Sequence, residues 1–174
     1  MAKYTIDYKC GHAGVEQLYG PTRDRESHVE WARGNKLCAD CYREQRDKAN
    51  AAASMTAAAQ AKTDSLPALT GSDKQIAWAE TIRMTAKAHV EYCVGQYAAN
   101  LQVARLDKAD LSQVPTETEM AEFGARIMRQ TAAKYWIDRR SDFASTRDMA
   151  HYIGQRIREE RARAAGKEML AGGA

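Results

Sequence analysis

The chain has no apolar run of the length that crosses a bilayer. Its opening residues, MAKYTIDYKC, hold no apolar signal core. These two absences predict a cytoplasmic protein. Strong charge of either sign is missing too: the net charge is +3 over 174 residues, far from the basic excess of a dedicated nucleic-acid binder. No G-x-S-x-G, P-loop, H-E-x-x-H or dinucleotide fingerprint occurs. Nothing gathers a nucleophile, a base and an oxyanion donor, so no enzyme is predicted. Cysteine and histidine are scarce, at four each. In a reducing compartment, clustered cysteines are more often metal ligands than disulfides.

What is there is concentrated. Three of the cysteines and one histidine fall in "CGHAG" and "LCADC", at Cys10, His12, Cys38 and Cys41. Structural zinc takes four thiolate or imidazole ligands in a tetrahedron. The C-x-x-C of Cys38 and Cys41 aims two sulfurs at one point. Cys10 and His12 form a tighter pair, with Gly11 relieving the turn. The 25 residues between the pairs leave room for a returning strand and a short helix. Lys9 and Lys36 sit beside the ligands and offset the thiolate charge. With all four positions filled by protein, the predicted zinc is structural rather than catalytic. The alternatives are four unrelated residues, or His28 in place of His12. His89 and Cys93 lie four apart on one helix face, but no second pair accompanies them, so they read as core packing.

The residue pattern predicts a mainly α protein with a small N-terminal zinc-bound β-hairpin/helix module and a C-terminal three-helix bundle. Residues 3–9 and "VEQLYG" read as the strands. A short helix follows Thr22, its expected N-cap, and stops near Gly34. A second helix starts at Ala39. Eight of its thirteen residues from 49 to 61 are alanine, which favours helix but offers little to bury, so it is expected to project and fray near Thr63. The zinc-ribbon-like module is placed at 1–48, the alanine-rich extension and linker at 49–70, and the helical domain at 71–174. Ile76, Ala79, Ile82, Ala86, Val90, Cys93, Tyr97 and Leu101 mark one helical stripe. Thr116 and Glu119 form a capping box for a second helix, lined by Met120, Phe123, Ile127, Thr131 and Tyr135. Ser145 and Asp148 open a third, striped by Met149, Tyr152, Ile153 and Ile157. Beyond Ile157 the helix is charged and is expected to project. Trp78 and Trp136 each read either as a buried contact or as an aromatic recognition surface.

Charge is uneven along the chain. Residues 1–63 carry 10 basic against 8 acidic side chains, 64–120 carry 5 against 8, and 121–174 carry 11 against 7. Two functions fit. Arg43 and Arg46 beside the metal site, with Arg156, Arg158, Arg161 and Arg163 on the last helix, would contact phosphates in a nucleic-acid-binding module. The interspersed acids favour the other function, in which the same surfaces meet a host or phage protein.

Three segments carry a resemblance: "CGH…LYGPTRDRE…LCADCYRE" at 10–44, "LTGSDKQIAWAETIR" at 69–83 and "KYWIDRR" at 134–140. In these the chain resembles a group of small phage and prophage proteins to which no activity belongs. The resemblance implies Cys10, His12, Cys38 and Cys41 as ligands, and the last two segments as helical signatures that pack together. By analogy it implies a phage accessory protein in the host cytoplasm, such as an inhibitor of a host defence enzyme or a modulator of a host polymerase.

Overall fold

A computed structural model describes residues 1–106 and 114–171, with the side chains of 103–106 and 166–171 outside the description. The elements run β1 (Ala2–Asp7), β2 (Ala13–Leu18), α1 (Thr22–Asn35), α2 (Ala39–Thr63), α3 (Asp73–Leu106), α4 (Glu117–Met128), α5 (Ala133–Asp138) and α6 (Thr146–Ala171). The protein is mainly helical with a small N-terminal hairpin, as its residue pattern predicts. It divides into two compact units, Met1–Ala52 and Ala53–Ala174, and the division falls within α2.

In the first unit, β1 and β2 pair antiparallel with Tyr4 opposite Glu16 and Ile6 opposite Gly14. The period-two alternation puts Tyr4, Ile6 and Tyr8 on one face, where Ile6 and Tyr8 join Val29 and Ala32 of α1 in a very small core. Gly14 is required there: a Cβ at this position would come within 2.7 Å of the Tyr8 ring. Helix α1 begins at Thr22 with Pro21 before it. Thr22 is therefore inside the helix rather than its cap, and its hydroxyl accepts from Arg25. The helix passes Gly34 by one residue.

In the second unit, the α3 stripe packs against α4, α5 and α6. The capping box of Thr116 and Glu119 is formed, and Ser145 with Asp148 caps α6. The second expected helix proves to be two, α4 and α5. The break has a tertiary cause. The Thr70 N–H donates to the Thr131 carbonyl (2.7 Å) and the Ala133 N–H donates to the Thr70 carbonyl (2.9 Å), so this backbone is committed to a bridge instead of to a helix. The break lets Trp136 enter the core completely, its indole N–H donating to the Gln130 carbonyl at 3.2 Å. Phe143 packs tilted beside it and meets Tyr152 edge-on. Trp78 stays half-exposed, with the Arg140 guanidinium over its ring. The alanine-rich half of α2 does not simply project. Ala57 and Ala61 are buried, and the chain turns back past Leu66 to bury Leu69.

Helix α6 is also anchored beyond Ile157. Arg161 forks onto the Glu119 carboxylate at the start of α4, and Glu160 accepts from Arg126 at 2.7 Å. The Arg161 bond, then the Thr116 N–H, hold the Glu119 carboxyl down at about 2 against an ordinary 4.5. A depressed carboxyl contributes stability above its unfolded value and loses it as pH falls toward its folded value. Glu119→Gln is therefore expected to lower the thermal midpoint of the helical unit by about 4 °C at neutral pH. The gap to wild type should close as pH falls from 4.5 to about 2. A melting series across that range checks it, and parallel curves at every pH would refute the assignment.

Candidate metal centre

The four predicted ligands converge. The donor atoms of Cys10, His12, Cys38 and Cys41 all lie within 4.8 Å of one another, a group that is able to hold one metal ion. A four-coordinate ion with metal–sulfur bonds of about 2.3 Å needs its donors about 3.8 Å apart. His12 Nδ1 already sits 3.6 Å from Cys38 Sγ and 3.2 Å from Cys41 Sγ.

Local backbone explains the convergence. The turn after β1 closes through the Gly11 N–H donating to the Tyr8 carbonyl, with Gly11 at φ +79°. That left-handed conformation suits glycine, and it presents Cys10 and His12 on one side. The second pair arrives as α1 ends and α2 begins. The Lys9 N–H donates to the Lys36 carbonyl, which holds the two segments side by side. The Cys38 N–H points at Cys10 Sγ (3.3 Å) and the Cys41 N–H at Cys38 Sγ (3.4 Å). Such bonds stabilise sulfur as thiolate, the form that binds metal.

The electrostatics fit a cation. The Cys38 N–H, then His12, draw the Cys10 thiol down to about 6. The Cys38 sulfur, then desolvation, push the Cys41 thiol up to about 12. Three crowded thiols cannot all ionise unless a positive charge sits among them, and a bound divalent ion supplies that charge. All four donors come from protein, so the site leaves no open position of the kind a catalytic metal keeps.

Beside the cluster lies a hub that residue spacing does not announce. Glu16 accepts from the Tyr8 hydroxyl (2.7 Å) and Lys36 Nζ (2.5 Å), and it meets His28 Nε2 at 3.1 Å. Lys36, then Tyr8, hold its carboxyl down at about 2. This ties β1, β2, α1 and the segment leading to Cys38 to one side chain. It also places His28 away from the ligand cluster, and it commits Lys36 to Glu16 rather than to the thiolates.

The remaining candidates are scattered. Cys93 is buried and donates to the Thr146 carbonyl at 3.3 Å, while His89 Nδ1 lies 3.0 Å from the Phe143 carbonyl. Both pin α3 to the segment before and into α6, which is the core role expected. Among the arginines, Arg43 pairs with Asp40 (3.5 Å), Arg46 with Asp47 (3.3 Å) and Arg156 with Glu159 (2.7 Å). Arg161 is bound to Glu119. Arg158 and Arg163 have no ion-pair partner among the described residues. No family model matches this chain, and no curated protein or solved structure is significantly similar to it.

Proposed function

We propose that the protein is a non-enzymatic, zinc-stabilised accessory factor that binds a protein partner through its N-terminal unit. Zinc suits the ligand set, since three thiolates and one imidazole in a closed tetrahedron are characteristic of it and disfavour magnesium or calcium. The observation that carries the partner reading is what the first unit leaves uncovered. Val15, Tyr19, Trp31 and Tyr42 are all more than half exposed, although the unit's own core is starved of apolar surface. Tyrosine and tryptophan are the side chains most enriched in protein interfaces. The arginines of the same unit give the opposite impression: Arg33, Arg43 and Arg46 each stand beside an acidic neighbour. Isolated pairs of this kind are weak, but they blunt the field that would draw a phosphate backbone. The likeness of the motifs to small phage and prophage proteins supports a host enzyme or polymerase as the partner.

The test uses the intact, zinc-loaded protein as bait in nuclease-treated host lysate, alongside Trp31→Ala. Because Trp31 is exposed, the variant should keep its fold. It should lose at least ten-fold of the captured protein signal. Equal capture by both baits would sink the role given to Trp31. DNA or RNA binding that falls steeply with salt would favour phosphate contacts instead.

A further inference from the structure

A cleft of about 400 Å³ lies between α3 and α6 in the helical unit. Two helical rows face it. Tyr92, Gln96 and Asn100 follow one another at four-residue steps on α3, and Ala150, Gly154 and Arg158 do so on α6. Side chains four apart share a helix face. One wall is therefore aromatic and amide-bearing, and the opposite wall is small and open, with Arg147 one turn before Ala150.

Cys93 and Tyr97 of this lining are spent on the Thr146 and Pro115 carbonyls, but five other polar side chains are not. Among the described residues, neither Arg147 nor Arg158 has an ion pair, and the side chains of Tyr92, Gln96 and Asn100 make no hydrogen bond. The neighbouring arginines behave differently, since Arg156 and Arg161 are both spent on carboxylates. Arg158 is also folded back along α6: its Nη1 lies 3.5 Å from where a Cβ on Gly154 would stand. The guanidinium therefore lies along the Gly154 backbone, beside the cleft.

We infer that this cleft binds a nucleotide. The volume matches a small-molecule site. A nucleobase stacks on an exposed tyrosine face, and paired amide side chains read base edges by donating and accepting at once. A guanidinium is suited to a phosphate by its forked, permanently charged donors. Tyr92, Gln96 with Asn100, and Arg158 supply these three contacts around one opening, and Arg147 adds a second cation to its lining. The site is separate from the metal centre and independent of the protein-partner proposal.

Isothermal titration of the full zinc-loaded chain with AMP, GMP, CMP and UMP, each to millimolar concentration, tests it. At least one should bind saturably and more tightly than ribose 5-phosphate or inorganic phosphate. Arg158→Ala should weaken that binding at least ten-fold, and Ala150→Leu, which fills the cleft from an exposed position, should abolish it. Both variants should melt at the wild-type midpoint. No saturable heat from any of the four nucleotides would overturn the proposal. So would ribose 5-phosphate binding as tightly as the best nucleotide, or undiminished binding by Arg158→Ala.

Discussion

Cys38→Ser is expected to unfold the first unit and leave the melting transition of the helical unit in place. Only Ile6, Tyr8, Val29 and Ala32 are buried in the first unit. Four side chains, one of them an alanine, cannot offset the chain entropy of some 50 residues. A domain of this size needs a staple, and a structural zinc contributes on the order of 10 kcal/mol of folding energy. Cys38 is the most connected ligand, since its N–H points at Cys10, its sulfur meets His12, and it accepts from the Cys41 N–H. Serine keeps the size but offers no thiolate. The measurement is amide dispersion by NMR, with elemental analysis of the same samples. Wild type should carry one zinc per chain and Cys38→Ser well under half. Signals from residues 1–45 should collapse while those of α3 to α6 persist. Excess chelator on wild type should reproduce the variant spectrum. Metal content below half an equivalent in wild type made with ample zinc would count against the site. Loss of the α3 to α6 signals as well would show that the two units do not fold separately.

The ligands were legible because their information is local: two close pairs, each on its own turn, with a glycine where the backbone needs one. The α3 stripe was legible for a similar reason, since a 3.6-residue period survives in any helix that buries one face. The Glu16 hub was not. Its partners Tyr8, His28 and Lys36 lie 8, 12 and 20 residues away, and a lone glutamate on a strand carries no pattern. The break between α4 and α5 was hidden as well. Gln130-Thr131-Ala132 contains neither glycine nor proline, and the apolar spacing runs on through Tyr135. Only the bridge to Thr70, some 60 residues earlier, interrupts it. The arginines of α6 illustrate the limit of counting charges. Arg156, Arg158 and Arg161 look equivalent in "RIREER", yet two of them are committed to carboxylates, while Arg158 has no ion pair among the described residues.

Arg83→Ala is expected to lower the melting midpoint of the helical unit by roughly 15 °C, through a loss of about 3–5 kcal/mol. From spacing alone, Glu80 and Arg83 resemble an ordinary surface pair three apart on α3. In the structure Arg83 is 1% exposed and Glu80 7%. The guanidinium donates through Nε and Nη2 to the Glu80 carboxylate at 2.7–3.0 Å, and through Nη1 to the Pro67 carbonyl at 2.7 Å. Alanine would strand a buried carboxylate with no counter-charge and leave the Pro67 carbonyl without this donor. The first loss dominates, because an unpaired buried charge costs several times a lost neutral hydrogen bond. The pair is not expected to be strongly stabilising in itself, since desolvation offsets most of the attraction between its partners. Glu80→Leu with Arg83→Met should therefore melt within a few degrees of wild type, far above Arg83→Ala. What the double variant cannot replace is the bond to Pro67. Amide exchange across residues 64–70 should quicken in it, even with the global midpoint restored. Calorimetry and exchange on the three proteins separate the two effects. A shift of only a few degrees in Arg83→Ala would mean that water reaches the carboxylate and that the pair is not buried in solution. A double variant as unstable as Arg83→Ala would mean that the tether to Pro67, rather than charge compensation, holds this end of the bundle together.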